Sequence, residues 1–155
     1  SMSKSYSLAG IRLGWICADK SFINMVNKNR QYNTISISVL DDAVATLALN
    51  NKEKIIQRNR NIIETNKKLV DEFLKKTGYH WYIEPNATAI GCIKYNKKIN
   101  SEEFCENIIK NTGILLIPAS VFEYENFFRI GFGMEEPYLK EALKKLVNYI
   151  INNIS

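Results

Sequence analysis

The chain has 155 residues, 46% of them apolar and 24% charged, and a formal net charge of +5. That is the size of one ordinary domain, with enough apolar residues to bury a core, and no apolar run approaches the roughly 20 residues of a membrane span. The 21 Lys and Arg are scattered among Asp and Glu along helix-like stretches, which reads as a solvated face and not as a nucleic-acid footprint. A polar start running into a strand-like stretch argues against a signal peptide. Cys17, Cys92 and Cys105 form no CxxC pair and His80 stands alone, so the expectation is reduced thiols in a cytoplasmic protein and no metal site.

In chain order, residues 10–18, GIRLGWICA, read as a buried strand bounded by Asp19 and Lys20. A helix over 21–30 follows, with Asp19 or Ser21 as its cap and Phe22, Ile23 and Val26 on one face. A loop then feeds a helix over 38–49, where Ala43, Ala45 and Ala48 favour helix. The longest periodic segment, 52–76, spaces Ile55-Ile56, Ile62-Ile63 and Leu69-Val70 seven residues apart and continues to Phe73-Leu74. Three repeats are few for a coiled coil, so a long helix packed on a sheet is expected. Gly78 is placed to close it in a left-handed conformation.

Beyond it the pattern predicts a strand over 81–83, a turn at Pro85-Asn86 and a strand over 88–95. Ser101, followed by Glu102 and Glu103, reads as the N-cap of a helix whose apolar face is Phe104, Cys105, Ile108 and Ile109, ending at Gly113. A third strand is expected over 114–117, cut by Pro118, and a fourth over 127–132. Glu135-Glu136-Pro137 opens a last helix with Leu139, Leu143, Leu146, Val147 and Ile150 facing a core. Such alternation predicts a two-layer α/β domain.

Two places carry chemistry. In SMSKSYSLAGIRLG one lysine, Lys4, sits among hydroxyl residues, and Arg12 lies eight residues on between Gly10 and Gly14. Lysine supplies the amine that holds an aldehyde cofactor as an imine, once its pKa is lowered. Hydroxyl and guanidinium donors suit a phosphate. On spacing alone the same residues also read as a solvated terminus entering a strand. Arg129 lies mid-strand between Phe128 and Ile130. A guanidinium buried there costs several kcal/mol unless an anion meets it, either a ligand carboxylate or a local acid such as Glu123 or Glu125.

The first fourteen residues resemble the pyridoxal-phosphate attachment segment of class I/II aminotransferases, fold type I: a serine, two variable positions, the Schiff-base lysine, then a leucine-like residue, glycine, arginine and a small residue. GILLIP, Ser120, Phe122 and FFRIGF resemble that family's carboxyl-terminal signature. The resemblance covers the whole chain in order. It implies Lys4 as the catalytic Schiff-base lysine, Ser1 and Arg12 as phosphate ligands, and Arg129 as the ligand of the substrate's α-carboxylate. It implies the tail of the large cofactor-binding domain over 1–50. Over 51–155 it implies a long bridging helix and the small two-layer domain, a small mixed or antiparallel sheet with helices on one face. The parent is then a homodimer acting on amino-acid and 2-oxo-acid substrates, with neither nucleic acid nor membrane as partner.

Departures bear on specificity: Ala119 stands where many relatives carry glycine, and Asn86-Ala87-Thr88 replaces a glycine-rich turn. The acid, tyrosine and glycine-centred phosphate turn that hold the ring from its other side in the family have no counterpart in this sequence, so the chain alone is expected to be inactive. The same lysine and arginine would also serve a β-lyase or decarboxylase. A different class, a non-enzymatic interaction or nucleic-acid-binding domain, meets an obstacle in Trp81-Tyr82 and Phe127-Phe128, since adjacent residues on a strand point to opposite faces.

Overall fold

Three helices succeed one another in the first half of the computed structural model, which describes residues 1–154: α1 (Lys20–Arg30), α2 (Val39–Asn50) and α3 (Lys52–Thr77). Each of the first two starts at a capping side chain. Asp19 Oδ1 accepts the Phe22 N–H at 2.9 Å and the Ser21 hydroxyl at 2.6 Å, and the Ser21 bond in particular holds its carboxyl below the usual carboxylate range. Ser38 Oγ accepts the Asp41 N–H at 3.3 Å. Both satisfy N–H groups that a helix start leaves bare. The chain divides into two compact units, Ser1–Asn59 and a second beginning at Arg60, so the division falls within α3. Among the described residues no helix is long and apolar enough to cross a membrane.

The first unit has a small core: Met2, Ala45 and Ala48, with Tyr6, Leu8, Ile11, Leu13 and Ile55 against it. The buried strand expected over 10–18 does not form. Ala9–Ile11 is a single turn of 3₁₀ helix, residues 12–18 join no ladder, and Trp15 and Ile16 are 56% and 58% exposed. Strand composition alone cannot hold a strand, because each needs a neighbour's N–H and C=O groups, and every ladder among the described residues lies in the second unit.

The second unit is built on an antiparallel sheet of β1 (His80–Ile83), β2 (Ile90–Lys94), β3 (Ile117–Pro118) and β4 (Phe127–Gly131), in the order β1-β2-β4-β3. α4 (Ser101–Thr112) and α5 (Glu136–Asn153) complete it. Val70 and Phe73 of α3, Phe104 and Ile108 of α4, and Leu139, Leu146 and Ile150 of α5 share one core with Ile93, Phe128 and Ile130 of the sheet. The helices therefore cover one face, and strand alternation sends Phe127 and Arg129 to the other. The architecture is the two-layer α/β arrangement the sequence predicts, with an antiparallel sheet.

Two local expectations are corrected. The cap of α4 is Asn100, whose Oδ1 accepts the Glu103 N–H at 2.9 Å. Ser101 is the first helical residue and wholly buried; its N–H donates to Glu125 Oε2 at 2.8 Å and its Oγ accepts the Ser120 N–H at 3.0 Å. The third strand is only Ile117–Pro118, so Pro118 belongs to it; β3 is an edge strand, where a missing N–H is tolerated. Gly78 and Gly113 do adopt the left-handed backbone expected of them, at φ +71 and +72.

Candidate functional site

The first fourteen residues fold back on themselves. Met2 N–H donates to Leu13 O at 3.1 Å and Leu8 N–H to Met2 O at 3.1 Å, while the Met2 side chain is fully buried. Asn59 Nδ2 holds the Ser5 carbonyl at 2.9 Å. Closure brings Ser1 beside Gly14: a Cβ at position 14 would lie 3.1 Å from the Ser1 Cβ, so the close approach favours glycine. Lys4 sits in a turn in which its carbonyl accepts the Ser7 N–H at 3.0 Å. Its side chain is exposed and has no hydrogen-bond or ion-pair partner among the described residues.

Arg12 takes a left-handed backbone at φ +46, uncommon for a residue with a Cβ and a feature that concentrates at ligand sites. Its guanidinium donates to Ala9 O at 3.0 Å, which leaves most of its five N–H donors free. Ser1 Oγ accepts the Ser3 N–H at 3.4 Å, so its own proton remains available. Lys4, Ser1 and Arg12 thus share one closed loop: an amine, a hydroxyl and a guanidinium, with no carboxylate bonded to either cation among the described residues. This donor set fits a phosphorylated aldehyde.

Arg129 lies in the second unit, on β4. Register puts Cys92 of β2 and Ile117 of β3 on either side of it. It is half-buried, so the full desolvation cost expected of a guanidinium inside a strand does not arise. Its guanidinium carbon lies 5.4 Å from the centroid of the Phe122 ring, a cation–π contact. Neither local acid neutralises it: Glu125 accepts the Ser101 N–H, and no ion pair links Glu123 or Glu125 to Arg129 among the described residues. The Cys92 thiol is pushed up by burial, against the opposing pull of the Arg129 charge.

Sequence reasoning missed what steadies this strand. Asn66 is 1% exposed, and its Nδ2 donates to Phe132 O and Met134 O, each at 2.7 Å. The available signal was a polar residue within the apolar stripe of α3, four positions before Val70. Phe122 as the ring under Arg129 had no local signal, because a turn and a strand bring them together. The aromatic pairs divide as alternation requires: Trp81 and Phe128 join the core, while Tyr82 stacks on Phe127 at 5.0 Å.

The model of the family described as aminotransferase class I and II matches residues 1–146. A solved PLP-dependent aminotransferase from Streptococcus suis 89-1591 is similar in fold with a TM-score of 0.94 and 33% identity, over 100% of this chain and 41% of that one. LL-diaminopimelate aminotransferase from Aquifex aeolicus is 29% identical over 151 residues, 96% of this chain and 38% of its own length. Capreomycidine synthase from Streptomyces vinaceus is 26% identical over 143 residues, 92% of this chain and 37% of its own. The chain thus spans under two-fifths of the curated relatives it matches.

Proposed function

The chain belongs to the class I and II aminotransferase family, and from that premise we propose that it is the carboxyl-terminal part of a pyridoxal-phosphate-dependent enzyme that moves an amino group between an amino acid and a 2-oxo acid. The observation that supports this reading is the closed backbone of the first fourteen residues, a single loop that contains Lys4, Ser1 and Arg12. Ser1 and Arg12 hold the phosphate by charge-assisted hydrogen bonds. Lys4 holds the cofactor and then carries the proton on Nζ from the substrate's α-carbon to its acceptor. Pyridoxal phosphate, when bound, supplies the electron sink for the pair left on that carbon. Arg129 grips the α-carboxylate, and so fixes where the α-carbon stands.

In this reading residues 1–50 are the tail of a large domain, residues 51–155 contain the small domain, and the parent is a cytoplasmic homodimer, in keeping with three unpaired thiols. The chain by itself is inactive, because it lacks the acid at the ring nitrogen that completes the sink. A second reading is a β-lyase or decarboxylase on the same lysine and arginine; one relative is named a synthase and not an aminotransferase, so reactions other than transamination are to be assayed beside it.

The test is chemical. The chain is incubated with pyridoxal phosphate, reduced with borohydride and mapped by mass spectrometry. A pyridoxyl group concentrated on Lys4, and dispersed among other lysines in Arg12→Ala, is the expected result. Even labelling of all exposed lysines in the unsubstituted chain would overturn the assignment. Robust transamination by the chain alone would overturn the claim that it is incomplete.

A further inference from the structure

Ser101 stands apart from its neighbours on α4. It is wholly buried, although it lies in the helix's first turn, where Glu102 and Glu103 are exposed. A hydroxyl taken out of water needs a partner, and here the partner lies outside the helix. α4 is capped by Asn100, while the Ser101 Oγ accepts the Ser120 N–H at 3.0 Å. The Ser101 N–H donates to Glu125 Oε2 at 2.8 Å, and the next side chain, Glu102, accepts the Ser120 hydroxyl at 3.0 Å. Hydrogen bonds from two successive residues thus converge on one segment, residues 119–126, which links β3 to β4.

That segment has little within itself to fix its path. It begins as a turn of 3₁₀ helix, Ala119–Phe122, and its backbone is left-handed at Glu123 and Asn126, φ +61 and +66, a region that residues with a Cβ seldom occupy. Its far end is fixed where the Tyr95 N–H donates to Asn126 O at 3.1 Å. Its near end is fixed by Ser101. Between these points it carries Phe122, whose ring lies 5.4 Å from the Arg129 guanidinium carbon and outside the core of the second unit. Backbone placement, not core packing, therefore decides where the ring stands. The cation–π attraction needs the cation over the ring face within about 6 Å, so a displaced turn would release the guanidinium to other rotamers.

We propose that Ser101 is a positioning residue for Arg129: by tying the turn at Ala119–Phe122 to the start of α4, it sets the Phe122 ring under the guanidinium and so fixes the direction from which the guanidinium meets a carboxylate. Ser101 acts only through the turn and the ring. This rests on the functional reading above, in which Arg129 grips the α-carboxylate, and adds the residue that aims it. Alanine at position 101 leaves the Ser120 N–H without its acceptor, while the bond to Glu125, made by the backbone N–H, survives.

The experiment follows the Arg129 Nε–H resonance of the full, isotope-labelled chain by NMR. The resonance is identified by its absence from Arg129→Lys, and Phe122→Leu gives its position with no ring beneath it. Ser101→Ala is expected to move the resonance most of the way to that position, and to move it no further when Phe122→Leu is already present, which is coupling in a double-mutant cycle. Glu102→Ala, at an exposed position, cuts only the bond from the Ser120 hydroxyl; it moves the resonance the same way by less, and carries the test if Ser101→Ala does not fold. An unmoved resonance in the folded variant overturns the proposal. So does an equal shift with and without Phe122, which would mean a general loosening of the unit. Acetate is then titrated as the carboxylate probe. The Arg129 resonance is expected to respond, with an affinity about two- to fivefold weaker in Ser101→Ala, the size of an exposed cation–π contact. Equal affinity in both chains overturns the positioning role alone. No response in the unsubstituted chain sinks the reading of Arg129 as a carboxylate ligand, while the ring shift still decides for or against Ser101.

Discussion

Arg129, the proposed ligand of the substrate's carboxylate, is held by three features of the second unit. The sheet fixes its backbone between Cys92 and Ile117, the Phe122 ring supports one side of the guanidinium, and no acid among the described residues consumes its charge. Replacing the planar fork by a point charge keeps the sign and loses the bidentate grip. In the proposed parent enzyme, Arg129→Lys is expected to raise KM for the amino acid about 10- to 100-fold, the equivalent of about 1.5–3 kcal/mol in a charged hydrogen bond, measured by steady-state kinetics. Tyr79 shows the opposite situation. Its hydroxyl is buried with no partner among the described residues, and burial pushes its pKa up to about 12. Tyr79→Phe removes an unsatisfied polar atom and keeps the ring, so the urea midpoint should stay or rise. A loss above about 1 kcal/mol would mean the hydroxyl is bonded after all.

At the scale of elements, the contact between β1 and β2 depends on one missing side chain. A Cβ on Gly91 would lie 2.4 Å from the Trp81 ring. The indole cannot simply swing away, since its Nε1 donates to Asp71 Oδ1 at 2.8 Å and its ring packs on Phe132 at 6.0 Å. Lys67 in turn bonds Asp71 at 3.2 Å and Glu84 at 2.6 Å, and the Glu84 bond before all else raises its pKa. Gly91→Ala should therefore destabilise the second unit by about 1–3 kcal/mol, the range of overpacked cores, read as a lowered thermal midpoint. Gly10, with nothing within 4 Å of the same construction, serves as the control: alanine there should leave that midpoint unchanged.

For the molecule as a whole, the buried titratable groups of the second unit set an alkaline limit. Burial raises the Cys105 thiol from its ordinary 9.0 to about 12 and Tyr79 from 10.0 to about 12, and raises Tyr95 as well, chiefly by burial. In each case the folded state keeps a proton that the unfolded chain releases. The stability these groups contribute is therefore whole below pH 9 and is lost progressively as pH climbs toward 12. The urea midpoint should be flat from neutrality to about pH 9 and then fall. Cys105→Ala should delay the onset toward the tyrosine range. A midpoint that rises through this window would contradict the burial of all three groups.

Periodicity and punctuation by themselves were enough for most elements of this protein. The apolar stripe of α3, the left-handed Gly78 and Gly113, the cap at Asp19 and the acidic opening of α5 are local devices whose energies act within a turn or two, so the chain order of residues states them directly. The proposed set of Lys4, Ser1 and Arg12 is likewise a local pattern, its spacing lying within fourteen residues. Tertiary structure alone decided the rest. Whether GIRLGWICA is a strand depends on a neighbour's backbone, which no local pattern can supply. Whether Glu125 pairs with Arg129 or turns elsewhere depends on Ser101, twenty-four residues from Glu125, whose N–H donates to that carboxylate. Ladders and long-range hydrogen bonds are set by which segments meet, and that is fixed only when the chain folds.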